Sequence, residues 1–288
     1  MYSYTIINMK EKGIMNAQET LEFEEYIANR FVRQENVSTD DEEFLDTWRK
    51  WLMEFENAAE ILNTKICPKR PVNFANPEKI TIEIYPSPAG NLPLIIFGDA
   101  SDFESFIVNL IYKGEKPDNI SQMGASFVYG KKQRFLTLSK KFYSNTPPEV
   151  VGLSAEEWRE KSLILRREHE CTHYYTKKFY GSASNNLHDE LIADFIGVYE
   201  AFSCYNHVYF DYFMGIDGTH EGRLSLYTSG LSESVKNEIA ELARKCSASL
   251  EKWTRSEEFL SMSKSERINH LCEVDIMRIP FMGGGGNL

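Results

Sequence analysis

The chain has 288 residues, a formal net charge of −11 and an apolar share of 42% that includes 18 Phe and 15 Tyr. That composition supports a buried core and excludes a solvated linker, while the acidic balance opposes general binding to nucleic acid, whose phosphates would meet a repulsive field. Cys67, Cys171, Cys204, Cys246 and Cys272 are odd in number and never paired as CxxC, which favours reduced thiols; with no secretory leader at the amino terminus and no apolar run long enough to span a bilayer, the expectation is a cytoplasmic protein without membrane insertion.

After a short Tyr4-Thr5-Ile6-Ile7 segment, residues 16–32 and 40–63 carry apolar side chains at helical intervals, among them Phe23, Ile27, Phe44, Trp48 and Leu52. Pro68, Pro71 and Pro77 then interrupt regular structure. Ile80-Thr81-Ile82-Glu83-Ile84-Tyr85 alternates as a strand, residues 86–91 turn, and Leu94-Ile95-Ile96-Phe97 supplies a second strand. Residues 102–113 read as a short amphipathic helix, and 126–129 with 134–138 as two strands joined by a tight turn at Gly130-Lys131-Lys132. A small antiparallel or mixed sheet therefore precedes the central motif, and one of its strands could pair with an extended peptide if its edge is open.

Ser154-Ala155-Glu156-Glu157 matches a capping box, from which a helix can run to Gly181, about 39 Å at 1.5 Å per residue. A second helix starts near residues 185–188 and continues through Phe202; the 210s read as a loop, and amphipathic segments follow at 232–253 and 256–271. Four adjacent glycines, Gly283 to Gly286, make the end of the chain a flexible tail. The domain reading is a helical region over 1–78, a metal-binding core over 79–210, a helical region over 211–280 and a tail over 281–288.

The first long helix carries His169-Glu170-Cys171-Thr172-His173, an HExxH pentad. Residues four apart lie on nearly one helix face, so His169 and His173 can direct imidazole nitrogens to one ion. Zn2+ is the expected cofactor: it lowers the pKa of the water it holds and polarises a carbonyl, while Glu170 accepts the proton and returns it to the leaving amine. Cys171 lies about 200 degrees around the helix from His169, which suits a small buried contact better than a ligand.

A catalytic tetrahedral site needs a third protein ligand and an open position. Glu190 is the choice, seventeen residues after His173 and on the second helix; Asp194, one turn further, can accept the outer N–H of a ligating histidine. His188 and Asp189 are the rivals. His188 lies about 160 degrees around the helix from Glu190, and only Glu190 puts Asp194 where it is useful. Candidate donors for a developing oxyanion are Tyr174, Tyr175, His207, His220, Arg223 and Tyr227, and of these His220, Arg223 and Tyr227 are the catalytic candidates.

These elements resemble the gluzincin superfamily of zinc metallopeptidases, whose pattern is HExxH on one helix and a zinc-binding Glu followed four residues later by Asp on the next. Here they read His169-Glu170-Cys171-Thr172-His173 and Glu190-Leu191-Ile192-Ala193-Asp194. The ExxAD form is also similar to the second motif of HtpX-type peptidases and, with Asn for Asp, of ImmA/IrrE-type peptidases. The likeness covers residues 165–200; the membrane spans of the first group and the helix-turn-helix of the second are not recognisable in the chain. The resemblance implies zinc ligands His169, His173 and Glu190, a catalytic base Glu170, and Asp194 orienting a ligand. The expected fold is α+β and zincin-like, a small sheet packed on the metal-binding helix with helical amino- and carboxy-terminal portions. The expected function is zinc-dependent hydrolysis of peptide bonds in a protein or peptide substrate; the alternatives are hydrolysis of a non-peptide amide or ester, and a catalytically silent metal-stabilised binding protein.

Overall fold

The computed structural model of the chain describes residues 15–130, 133–182 and 186–283. The elements are mixed α and β. In chain order they begin with helices α1 (Ala17–Ile27), α2 (Glu43–Glu54) and α3 (Ala58–Ile61), the last running into a π turn over Leu62–Ile66. Strands β1 (Ile80–Ser87) and β2 (Gly90–Phe97), helix α4 (Ala100–Leu110) and strands β3 (Ala125–Tyr129) and β4 (Arg134–Ser139) follow. Then come α5 (Pro148–Val151), α6 (Ala155–Tyr180), α7 (Leu187–Phe202) and α8 (His207–Met214). Helices α9 (Leu224–Tyr227), α10 (Glu233–Trp253), α11 (Glu257–Ser261) and α12 (Lys264–Glu273) follow, and a 3-10 turn over Ile276–Phe281 comes after them.

The chain divides into two compact units, one over Asn36–Cys171 and the other combining Met1–Glu35 with Thr172–Leu288. The division falls inside α6, an unbroken helix of 26 residues that belongs to both.

In the unit over Asn36–Cys171 the four strands lie in the order β1-β2-β4-β3. β1 and β2 form an antiparallel hairpin from Ile80↔Phe97 to Ser87↔Gly90, β2 and β4 run parallel from Leu94↔Leu136, and β3 pairs antiparallel with β4. The two inner strands are the most buried, as strands flanked on both sides must be. Trp48, Leu62, Phe97, Phe103, Phe106 and Phe135 anchor the core. The first half of α6 is tied to this unit through polar contacts. Arg166 donates to the carbonyls of Ser139 at 2.6 Å and Lys141 at 3.1 Å, Ser162 Oγ accepts from the Tyr143 amide at 2.9 Å, and Tyr85 of β1 donates its hydroxyl to the buried Glu168. The segment leaving β4 is thereby fixed along the helix that carries the pentad.

In the other unit α7 is buried along nearly its whole length and packs with α10 and α12. Phe195, Tyr205, Trp253 and Phe259 form an aromatic cluster with ring centroids 4.8–5.8 Å apart.

Local chemistry moves several expected boundaries. The helix expected over 40–63 breaks at residues 55–57, because Asn57 is extended and its side chain caps a new start by accepting from the Glu60 amide at 2.9 Å. The helix expected over 256–271 breaks likewise where Ser263 and Glu266 form a capping box. At the carboxy end, the expected tail begins with placed residues: Ser249 donates to the Met282 carbonyl at 2.5 Å, and Gly283 lies against the backbone of Trp253. Tyr4–Ile7, the Lys131-Lys132 turn and the remaining glycines of the tail lie outside the described residues.

Candidate metal centre

The two helices expected to carry the ligands start where their capping residues place them. Ser154 and Glu157 exchange hydrogen bonds at the start of α6, and Asn186 caps α7 by accepting from the Asp189 amide at 3.1 Å. Among the described residues His169, His173 and Glu190 form a group that could hold a metal ion, with one ligand-type atom from each lying within 4.8 Å of the others. His173 Nε2 stands 3.4 Å from Glu190 Oε1. Two ligands about 2.0–2.1 Å from a tetrahedral zinc are about 3.3 Å apart, so this edge has the size the ion requires.

Each histidine has an oxygen facing its other ring nitrogen, at hydrogen-bond distance for His169 and at ion-pair distance for His173. Tyr143 places its hydroxyl 2.9 Å from His169 Nδ1, and Asp189 Oδ2 lies 3.3 Å from His173 Nδ1. A ligating histidine that donates its outer N–H to an oxygen is fixed in the tautomer that leaves the inner nitrogen for the metal. Thr176 Oγ1 lies 3.4 Å from the other oxygen of Asp189, whose residue is 1% exposed. Burial opposes a charge on His173, but Asp189 and Glu190 outweigh it and hold the imidazole well above its ordinary pKa. The surroundings of this ring favour a cation.

Glu190 is held on its far side. Its Oε2 accepts from the Tyr227 hydroxyl at 2.8 Å and lies 3.5 Å from Arg223 Nη1, while Arg223 Nη2 donates to the fully buried Asp194. Burial raises the Tyr227 phenol far above its usual range, so it stays protonated and donates. Arg223 and Tyr227 reach α7 because the chain folds back after α8. Gly215 ends α8 in the left-handed region at φ 73°, and Gly222 crosses it so closely that a Cβ at Gly222 would sit 2.2 Å from the Gly215 nitrogen. The Arg223 amide then donates to the Phe213 carbonyl at 3.1 Å and α9 begins.

This site lies within the region matched by a family of unknown function, DUF7005, whose model covers residues 58–134 and 131–281. The chain belongs to that family. No curated protein and no solved structure matches this DUF7005 chain. The matched region of the DUF7005 chain contains every residue of the ligand group and of the contacts around it.

The remaining sequence candidates sort by place. Glu170 lies half-buried between the two histidines on α6. Asp194 meets Arg223, while the oxygen facing a ring nitrogen of His173 comes from Asp189. His188 is buried in α7 and its Nε2 lies 3.0 Å from the Leu271 carbonyl, with Phe31 edge-on to the ring; burial lowers its pKa to about 4. His220 stacks on Tyr212 and contacts Thr219 and Asp217, none of them in the ligand group. His207 pairs with Glu251, Tyr175 donates to Asn269, and Tyr174 and Cys171 are buried. Tyr143 was not anticipated from the sequence: it is 26 positions from His169, and no local pattern marks it.

Proposed function

We propose that the chain is a zinc-dependent peptidase of gluzincin type, hydrolysing peptide bonds in a protein or peptide substrate. The observation that carries this reading is the convergence of His169, His173 and Glu190 with one carboxylate, Glu170, on the helix turn between the two imidazoles. The small mixed sheet preceding the pentad helix supports a zincin-like assignment of the fold.

His169, His173 and Glu190 would hold the ion, which when bound supplies Lewis acidity toward a carbonyl oxygen and acidifies water. Tyr143 beside His169 Nδ1 and Asp189 facing His173 Nδ1 would orient the two imidazoles so that their inner nitrogens are presented to the ion. Glu170 takes the proton of the attacking water and delivers it to the departing amine, a general base and then a general acid at one carboxylate.

The test compares the full chain with Glu170→Gln by elemental analysis and by detection of new peptide amino termini in a cell extract. About one zinc per chain in both proteins, with new termini produced by the wild type alone, is the expected result. A folded wild type that retains no metal removes the basis of the reading; retained zinc without cleavage of protein or peptide moves it to a non-peptide hydrolase or a metal-stabilised binding protein.

A further inference from the structure

We propose that Tyr227 and Arg223 are positioning residues that restrict Glu190 to a single metal-binding oxygen, an inference that rests on the metal reading above. A carboxylate can meet zinc through one oxygen or through both, and the second mode consumes the coordination position that catalysis needs for water. In this chain the two oxygens of Glu190 are not equivalent. Oε1 faces His173 Nε2 at 3.4 Å, whereas Oε2 accepts from Tyr227 at 2.8 Å and lies 3.5 Å from the Arg223 guanidinium. A phenolic O–H and a cation directed at one oxygen occupy its lone pairs and draw its electron density, leaving Oε1 as the better ligand.

The placement is specified on both elements. Arg223 and Tyr227 are four apart at the start and end of α9, and Glu190 and Asp194 are four apart on α7, so each pair presents one face. Arg223 bridges the two carboxylates and sets the register, and Tyr227 then falls on Glu190 alone. Neither residue touches the reacting atoms in this scheme; both act through the geometry of a ligand.

The test uses the full chain and Tyr227→Phe, each loaded with Zn2+ for X-ray absorption at the zinc edge and with Co2+ for visible spectroscopy. The wild type should show four light-atom neighbours and the intense visible bands of tetrahedral Co2+. Tyr227→Phe should keep about one metal per chain, gain a fifth neighbour as Oε2 swings in, and lose cobalt band intensity. Its kcat should fall about 10- to 100-fold with little change in KM, the size of effect that outer contacts of metal ligands carry. If Tyr227→Phe does not fold by circular dichroism, Arg223→Lys replaces it, because a point charge cannot span both carboxylates and the same spectral change is expected. Spectra of the folded variant identical to the wild type overturn the clamp and leave the metal reading intact. A wild type that takes up neither Zn2+ nor Co2+ overturns both.

Discussion

His188 differs from the histidines of the candidate centre by a sign that can be measured. Its ring is buried in α7, with Nε2 3.0 Å from the Leu271 carbonyl and Phe31 edge-on, and desolvation lowers its pKa from 6.5 to about 4. Above 6.5 the ring is neutral in both the folded and the unfolded chain, so it adds no pH dependence. Between 6.5 and about 4 the unfolded chain takes up a proton that the folded chain refuses, so stability falls as pH falls. Below about 4 both states are protonated and the penalty is complete. At about 1.4 kcal/mol per pH unit the full penalty is about 3–4 kcal/mol. The assay is urea unfolding of the metal-free chain from neutral to acid pH beside His188→Gln, which retains an N–H donor and does not titrate. The variant should lose most of that slope, and the His188 ring signal in NMR should titrate well below the exposed histidines. A wild-type slope in the variant, or a His188 midpoint near 6.5 in the folded chain, refutes the argument.

Glu170→Gln should bind zinc as the wild type does and lose about 100- to 10,000-fold in turnover, measured on a substrate found from the new-termini screen. Asp189→Asn removes the carboxylate facing His173 Nδ1 and should weaken zinc about 10- to 100-fold in a competition titration; unchanged affinity would place the orienting oxygen elsewhere. Gly222→Ala would put a Cβ 2.2 Å from one backbone atom and 2.3 Å from another, neither able to yield as a side-chain tip can. It should cost about 1–3 kcal/mol in denaturant unfolding and displace Arg223 from α7, and wild-type stability would show that the crossing is looser than described.

The sequence carried the helices of the centre because their signals are local: a capping box at Ser154, an Asn cap at Asn186, and histidines at the spacing of one turn. It also brought Glu190 to the two histidines, since an ExxAD step on a buried helix places Glu190 and Asp194 on one face. Where it was silent, on Tyr143 and on Tyr227 meeting Glu190 rather than an oxyanion, the answer depends on long-range closure. Tyr143 reaches His169 only because Arg166 and Ser162 bind the chain leaving β4, and Tyr227 reaches Glu190 only because two glycines let the loop cross α8. The splits after Glu54 and after Ser261 were legible in principle, as Asn57 and Ser263 are good capping residues, but a continuous apolar stripe masks such breaks when periodicity alone is read.

The charges around Glu190 suggest which cation the pocket suits. Asp189, Glu190 and Asp194 are each at most 2% exposed, and buried carboxylates are costly unless paired. Among the described contacts of these three carboxylates Arg223 supplies a positive charge, so with His173 neutral the negative charges outnumber it, and a divalent ion offsets that excess more fully than a proton on His173 does. Zinc should therefore stabilise the folded chain by about 2.7 kcal/mol at a hundredfold excess over Kd, raising Tm by about 5–10 °C. Magnesium, which prefers oxygen ligands in an octahedron, should have little effect. The gain must depend on pH with a definite sign. Asp189 and Glu190 hold His173 protonated well above its ordinary range, so the metal-free chain draws stability from that proton below 6.5 and loses it as pH rises through the folded value. Zinc has to displace the same proton, so its thermal shift should be larger at about pH 8 than at about pH 6. A shift equal at both, or larger in acid, would mean that the ion is not bound through His173.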